Sequence, residues 1–298
     1  TLWLLRLGAE VTGFSDKIPT KPSIFTAAKL NRHIEDIRGD IKNFNTVHKM
    51  LVETQPDFIF HLAAQPLVQE SYLNPRETIF TNAIGTANLL ESIRLIDKKN
   101  LVSIFITSDK VYDNIEQIWG YNENDVIGGK DPYSASKGMA ELAIKTYMHS
   151  FDRNPKNRIA VARAGNVIGG GDWAENRVVP DLIKAWAAKQ TLSIRNPYAT
   201  RPWQHVLEPL GGYLLLASKL KLDSELSNES FNFGPQANQN KTVEELVINF
   251  SHYWQGGKWI SEIKKPRSSF HEACLLYTSD AADDSLRVDL GGRRIIKK

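Results

Sequence analysis

Three segments of this chain, Asp57-Phe-Ile-Phe-His-Leu62, Leu101-Val-Ser-Ile-Phe-Ile-Thr107 and Arg158-Ile-Ala-Val-Ala-Arg163, are almost continuously apolar. A strand with one wet face alternates apolar and polar residues. A strand with none is covered on both faces, the condition of a parallel sheet held between two layers of helices. The stretches between and around these runs carry helical periodicity, over Asn43 to Glu53, Pro75 to Ile96 and Ser134 to Phe151. Strand and helix in alternation predict an α/β chain with a doubly wound parallel sheet.

Past Gly165 the alternation fades into loops rich in Gly, Pro, Asn and Trp, broken by helical patterns at Pro180 to Lys189 and Leu210 to Leu220. That region is expected to close over the carboxyl edge of the sheet, where open α/β folds bind ligands. At the start, Thr1-Leu-Trp-Leu-Leu-Arg-Leu-Gly8 reads as a helix ended by a glycine, and Ala9-Glu-Val-Thr-Gly-Phe14 as the strand that follows. A helix leading into a strand is the second half of a βαβ unit, so a first strand is expected to lie before Thr1. At the other end, residues 274–298 resemble a translated sequencing adapter and are expected to be a non-native tail, excluded from fold reasoning.

Composition removes several function classes. The net charge is +3 with the basic residues scattered, which gives no nucleic-acid surface. No apolar run approaches the roughly 20 residues of a membrane span. The one cysteine, Cys274, forms no internal disulfide, which suits a cytoplasmic protein. No cluster of residues suggests a metal.

The chemistry concentrates in two places. Tyr133-Ser-Ala-Ser-Lys137 sets a phenol and an ammonium one helical turn apart, on one face. Alone this is a weak signal, also readable as an exposed helix start after Asp131-Pro132. The second place is the end of an apolar strand, Thr107-Ser108-Asp109-Lys110, whose charges are costly in a core and belong at a cleft or turn.

These segments stand in a specific order with His61-Leu-Ala-Ala-Gln65, Thr81-Asn-Ala-Ile-Gly-Thr-Ala-Asn88, Arg163-Ala-Gly-Asn166 and Arg201-Pro-Trp-Gln-His-Val206. Together they resemble the extended short-chain dehydrogenase/reductase family, from Thr1 to about Ala273. Ser-Asp-Lys at the strand end and Gly169-Gly-Gly-Asp-Trp-Ala-Glu-Asn-Arg177 resemble the branch that dehydrates CDP-glucose. The resemblance implies a Rossmann-like NAD-binding domain over residues 1–164 and a mainly substrate-binding part over 165–273, some of whose segments return to the first. The family's glycine-rich pyrophosphate turn is absent and would sit on the expected strand before Thr1. A chain without it is expected to bind NAD more weakly than one with it.

The resemblance also implies a route: oxidation at C4 of the sugar, loss of water across C5–C6, and hydride return to C6. Tyr133 would take the 4-hydroxyl proton, its pKa lowered by the Lys137 cation and the nicotinamide charge, while Lys137 holds the nicotinamide ribose. Ser108 or Thr107 would hydrogen-bond the 4-oxygen. Asp109 would protonate the departing 6-hydroxyl, and Lys110 would be either the C5 base or an electrostatic clamp. Ser15, Asp40, Ile41, Leu62, Ala63, Ala64, Gln65, Asn82 and Thr107 complete the expected cofactor side. Asn166, Arg177 and Arg201 are expected on the nucleotide sugar, because phosphates in a cleft need amide or guanidinium partners. Trp203 would stack on base or sugar or lie in the core, and His271-Glu272 resemble substrate-side residues. A homodimer through Pro75–Ile96 and Ser134–Phe151, and a place in deoxysugar, O-antigen and lipopolysaccharide biosynthesis, also follow from the resemblance. An epimerase and a non-catalytic nucleotide-sugar binder are the alternative functions.

Overall fold

The computed structural model describes residues 1–115, 120–151, 157–235 and 240–261. His271, Glu272, Cys274 and the tail lie outside the described residues. The opening helix spans Leu2–Arg6, and Gly8 follows at φ 83, where the Ala9 N–H closes back on the Leu4 carbonyl. That left-handed turn is available to glycine without the clash a Cβ would bring. Strand β1 (Thr12–Ser15) pairs in parallel with β2 (Glu35–Arg38). Helix α1 (Phe44–Thr54) starts at Asn43, whose side chain accepts from the Thr46 N–H.

Strand β3 (Phe58–His61) leads to a helix at Pro75–Ile79, a five-residue π-turn over Phe80–Ile84, and helix α2 (Gly85–Leu95). The single helix expected over Pro75–Ile96 therefore carries a wider turn in its middle. Strand β4 (Val102–Ile106), helix α3 (Pro132–Phe151) and strand β5 (Arg158–Ala164) follow. After helices α4 (Val178–Ala187) and α5 (Leu207–Leu222), strand β6 (Glu229–Phe233) returns to the sheet.

The main sheet has the order β6-β5-β4-β3 with every pair parallel. Successive residues of β4 enter different cores. Phe105 packs with Val47, Leu51, Leu89, Leu90 and Ile144 beneath α1–α3, while Ile104 packs with Leu216, Leu220 and Phe231 beneath α5. Both faces are covered, so the fold is a Rossmann-like α/β sheet. The pair β1–β2 forms its own ladder, and Phe14 of β1 packs against the first core. Among the described residues no ladder joins β1 to β3. Strand β3 is accordingly the edge of this sheet; Ile59 packs on the first core and Phe60 on the second, so both its faces are covered as its sequence suggests, while Phe58 and Leu62 are exposed.

The later region is more ordered than its composition implies. Val167–Ile168 pairs with Gln204–His205, Thr200–Pro202 with Asn240–Thr242, and Leu192–Ile194 with Trp259–Ser261. Leu182, Trp186, Leu192, Ile194 and Val247 give it a core of its own.

Candidate active site

Two local devices aim the tyrosine helix. Asp131 accepts from the N–H groups of Tyr133 and Ser134, 3.0 Å each, and Pro132 takes the first helical position, where no N–H is missed. Gly129 lies under the same turn, where a Cβ would fall 2.4 Å from the Ala135 nitrogen. Tyr133, Ser136 and Lys137 are consequently buried on the face toward the end of β4.

At that strand end, Ser108 caps a short turn over Asp109–Val111 and accepts from the Lys110 N–H. Its hydroxyl donates to Asp109 Oδ1 at 2.8 Å and lies near the Tyr133 phenol, whose anion it favours. Lys110 Nζ stands 3.9 Å from Asp109 Oδ2. Ser108, Asp109, Lys110, Tyr133 and Lys137 thus converge from β4 and α3. Thr107 faces elsewhere: its hydroxyl donates to Glu141 at 2.9 Å. Of the two hydroxyls that the sequence leaves open, Ser108 is the one beside the phenol.

Burial dominates the electrostatics of these side chains. The Tyr133 phenol is pushed up to about 12, because burial penalises its anion more than Ser108 and the Arg177 charge relieve it; Asp109 and Asp131 push the same way as burial. Lys137 does not outweigh burial here. The Lys137 ammonium is itself pushed down to about 8 by burial, against the pull of Glu141. His61, at the end of β3, is driven to about 3 by burial and then by the Lys137 charge. It is a neutral imidazole, bonded at 2.9 Å to Thr86.

The expected cofactor residues are spread along the sheet's carboxyl edge. Ser15 ends β1 and accepts from Arg38 at 2.8 Å. Asp40 caps its own turn through the Lys42 N–H. The Ile41 side chain lies in the core against Gly85, and its carbonyl accepts from Asn88. Leu62 is exposed and Ala63 and Ala64 are half-buried at the end of β3. Asn82 sits in the π-turn with both ends of its amide engaged. It accepts from the Gln65 N–H at 2.7 Å and donates to the Gln65 carbonyl and to Ser136 Oγ. Asn82 therefore fastens the loop after β3 to the first turn of α3, and acts on the cleft by position.

Of the residues expected on the nucleotide sugar, Arg177 begins α4 and pairs with Asp172 at 3.1 Å, and its charge reaches Tyr133. Asn166 follows Gly165, which lies close to Asp109 Oδ2. Its Oδ1 is buried with no hydrogen-bond partner among the described residues. Arg201 is buried on its small ladder and donates to the Thr200 carbonyl. Trp203 donates its ring N–H to the Lys241 carbonyl. The sequence reading passed over His61 and Glu141. His61 lies inside a recognised motif, while Glu141 has only its place one turn beyond Lys137 as a signal.

A Rossmann-like sheet with a Ser–Tyr–Lys cluster at its carboxyl edge defines an extended short-chain dehydrogenase/reductase. The profile of one branch, described as GDP-mannose 4,6 dehydratase, matches residues 2–287, and the chain belongs to that family. The matched span includes part of the tail set apart above. The chain is 46% identical over 260 residues to CDP-glucose 4,6-dehydratase of Salmonella typhimurium, covering 85% of this chain and 72% of that protein. It superposes on a UDP-glucose 4-epimerase of Thermus thermophilus in complex with NAD with a TM-score of 0.77 at 21% identity, covering 93% and 85% of the two chains. The dTDP-glucose 4,6-dehydratase of Bacillus anthracis in complex with NAD gives 0.73 at 17%, covering 93% and 82%.

Proposed function

We propose that this protein is a cytoplasmic, homodimeric enzyme that dehydrates CDP-glucose to CDP-4-keto-6-deoxyglucose with bound NAD. The observation that carries the reading is the meeting of Tyr133, Ser108 and Asp109 in one buried cluster, with an acid beside the oxidation machinery. An epimerase needs the first two and has no use for the third.

The described residues fit a nicotinamide dinucleotide. Lys137 is a buried cation, and small Ala63 and Ala64 follow β3, where they allow close approach of a ligand. Lys137 and Tyr133 would hold its ribose, with Ser15, Asp40 and the Leu62–Gln65 segment along its length. When bound, NAD supplies the hydride acceptor for C4 and the hydride donor for C6.

The chain's own groups do the proton work. Oxidation of C4 places a carbonyl beside the C5 hydrogen, which makes that proton removable. Tyr133, neutral in the free site, meets the 4-hydroxyl; added positive charge favours its anion, in the same sense as Arg177, and lets it take the proton. Ser108 donates to the 4-oxygen. A water beside Lys110 takes the C5 proton, and Asp109 gives a proton to the departing 6-hydroxyl so that it leaves as water. Lys110 stabilises the negative charge left on the sugar, and a proton returns to C5 when C6 is reduced. Arg177, Arg201 and Asn166 hold the nucleotide sugar.

The exposed apolar residues Phe80 and Ile84 on one helix and Met139 and Leu142 on α3 support the homodimer, a second copy being the natural cover for two such faces. Incubation with CDP-glucose and NAD tests the activity. A 4-keto-6-deoxy product is expected. A sugar inverted at one carbon, or nucleotide-sugar binding without turnover, would refute the dehydratase reading. Tyr133→Phe should lower kcat about 10²- to 10⁴-fold without moving the melting temperature.

A further inference from the structure

Behind the cluster lies a buried charge that the reaction does not touch. Glu141 stands one turn beyond Lys137 on α3 and has no exposed side-chain surface. One of its oxygens accepts from Arg163 Nε at 2.7 Å, and also from Nη2 of the same guanidinium. The other accepts from Thr107 Oγ1 at 2.9 Å. Arg163, on β5, is equally buried and reaches on to the Tyr112 hydroxyl at 2.6 Å and the Glu123 carbonyl at 3.1 Å. Tyr112 in turn donates to Asn232 of β6 at 2.7 Å, and Asn232 N–H donates to the Glu123 carboxylate at 2.9 Å. The ion pair therefore joins α3 and β5 to the last residue before Ser108, with β6 tied in through Tyr112 and Asn232.

We propose that Glu141, fixed by Arg163, is a positioning residue that places a carboxylate one turn behind Lys137 and holds the Thr107–Ser108 strand end against Tyr133. The inference rests on the catalytic reading of Ser108, Tyr133 and Lys137. A fully buried ion pair is weak evidence for stability, since apolar residues of similar volume commonly do as well there, so its retention calls for another purpose. The surroundings of Lys137 supply one. Burial and His61, from β3, bring no negative charge to it, and Tyr133 is neutral. Asp109 lies toward the cleft at the end of β4. Glu141 is the carboxylate that draws the Lys137 ammonium toward its charged form, opposing burial. Arg163 holds one oxygen of that carboxylate through Nε and Nη2, while Thr107 donates to the other.

Two variants separate charge from position. Glu141→Gln keeps an oxygen for Thr107 and loses the charge. Because it leaves Arg163 without a counter-charge in the core, the pair Glu141→Gln with Arg163→Met is measured beside it. In whichever variant melts like the wild type, Lys137 should lose its proton about 1 pH unit or more lower. The alkaline limb of kcat/KM should move down with it. The titration is read by NMR on labelled lysine, with the Lys137 signal assigned by Lys137→Arg. Glu141→Asp keeps the charge and withdraws the oxygen from Thr107. It should leave the limb in place and lower kcat on the order of 10- to 100-fold. An unchanged Lys137 titration in a well-folded Gln variant overturns the charge role, and an unchanged kcat in Glu141→Asp overturns the positional one. Absence of wild-type turnover would instead count against the dehydratase reading, and the NMR titration would still decide this one.

Discussion

Asn82→Ala tests whether the π-turn clamp is as important as its geometry implies. The amide makes three hydrogen bonds, to the Gln65 N–H at 2.7 Å, the Gln65 carbonyl at 3.1 Å and Ser136 Oγ at 2.8 Å, from a site only 2% exposed. Truncation removes all three and strands the Gln65 N–H in a half-buried loop. At about 1 kcal/mol for each bond, with a further penalty for the stranded donor, the loss is about 3–5 kcal/mol. For a chain of this size that is roughly 5–8 °C in Tm. The clamp also holds Ser136, whose hydroxyl donates to the Tyr133 carbonyl at 2.7 Å, so the first turn of α3 should loosen. Urea unfolding gives the stability loss, and turnover at a temperature where the variant is folded gives the second effect. A loss below about 1 kcal/mol with unchanged kcat would show that the amide is a bystander to both loop and helix.

Asp109→Asn should permit oxidation and block elimination, so reduced-nicotinamide absorbance rises with no keto-deoxy product; normal turnover would remove Asp109 from the acid role. His61 offers a pH test. Its folded value near 3 against an ordinary 6.5 means that the unfolded chain binds the extra proton, so the stability it confers is full above pH 6.5 and falls away as pH drops toward 3. Between pH 7 and 5 the wild type should lose about 2 kcal/mol through this group, and His61→Gln should show a correspondingly flatter urea midpoint. Finally, Ile84→Glu with Leu142→Glu should shift a dimer to monomer in sedimentation. A dimer that survives both charges places the interface elsewhere.

Much of the fold was legible because burial on two faces leaves a plain mark: β4 and β5 read as unbroken apolar runs and are covered as expected. β3 carries the same mark yet is an edge, since an apolar run records what a strand tolerates and not which neighbours it has. The start of α3 was legible from Asp131-Pro132. The resemblance favours Ser108 over Thr107, but the reason was not legible, since it lies in Glu141, 34 residues away, engaging the Thr107 hydroxyl. Asn82 reads as a helix residue inside a motif, and only the extra width of the π-turn turns its amide onto Gln65 and Ser136. The pull of burial on Tyr133 is not legible at all, because proximity to a lysine is visible in the sequence and desolvation is not.

That π-turn also constrains how this chain can vary. Each residue added to or removed from an α-helix rotates everything after it by about 100°. Phe80–Ile84 holds one residue more than an α-turn would, and α2 beyond it is phased so that Leu89, Leu90 and Ile93 meet the core. Deleting one residue there would restore a regular helix and swing those three side chains toward solvent. Keeping the phase by a compensating insertion downstream would still carry Asn82 off its partners. The segment is therefore locked in length from both sides, and length changes among relatives should fall in the loops around it.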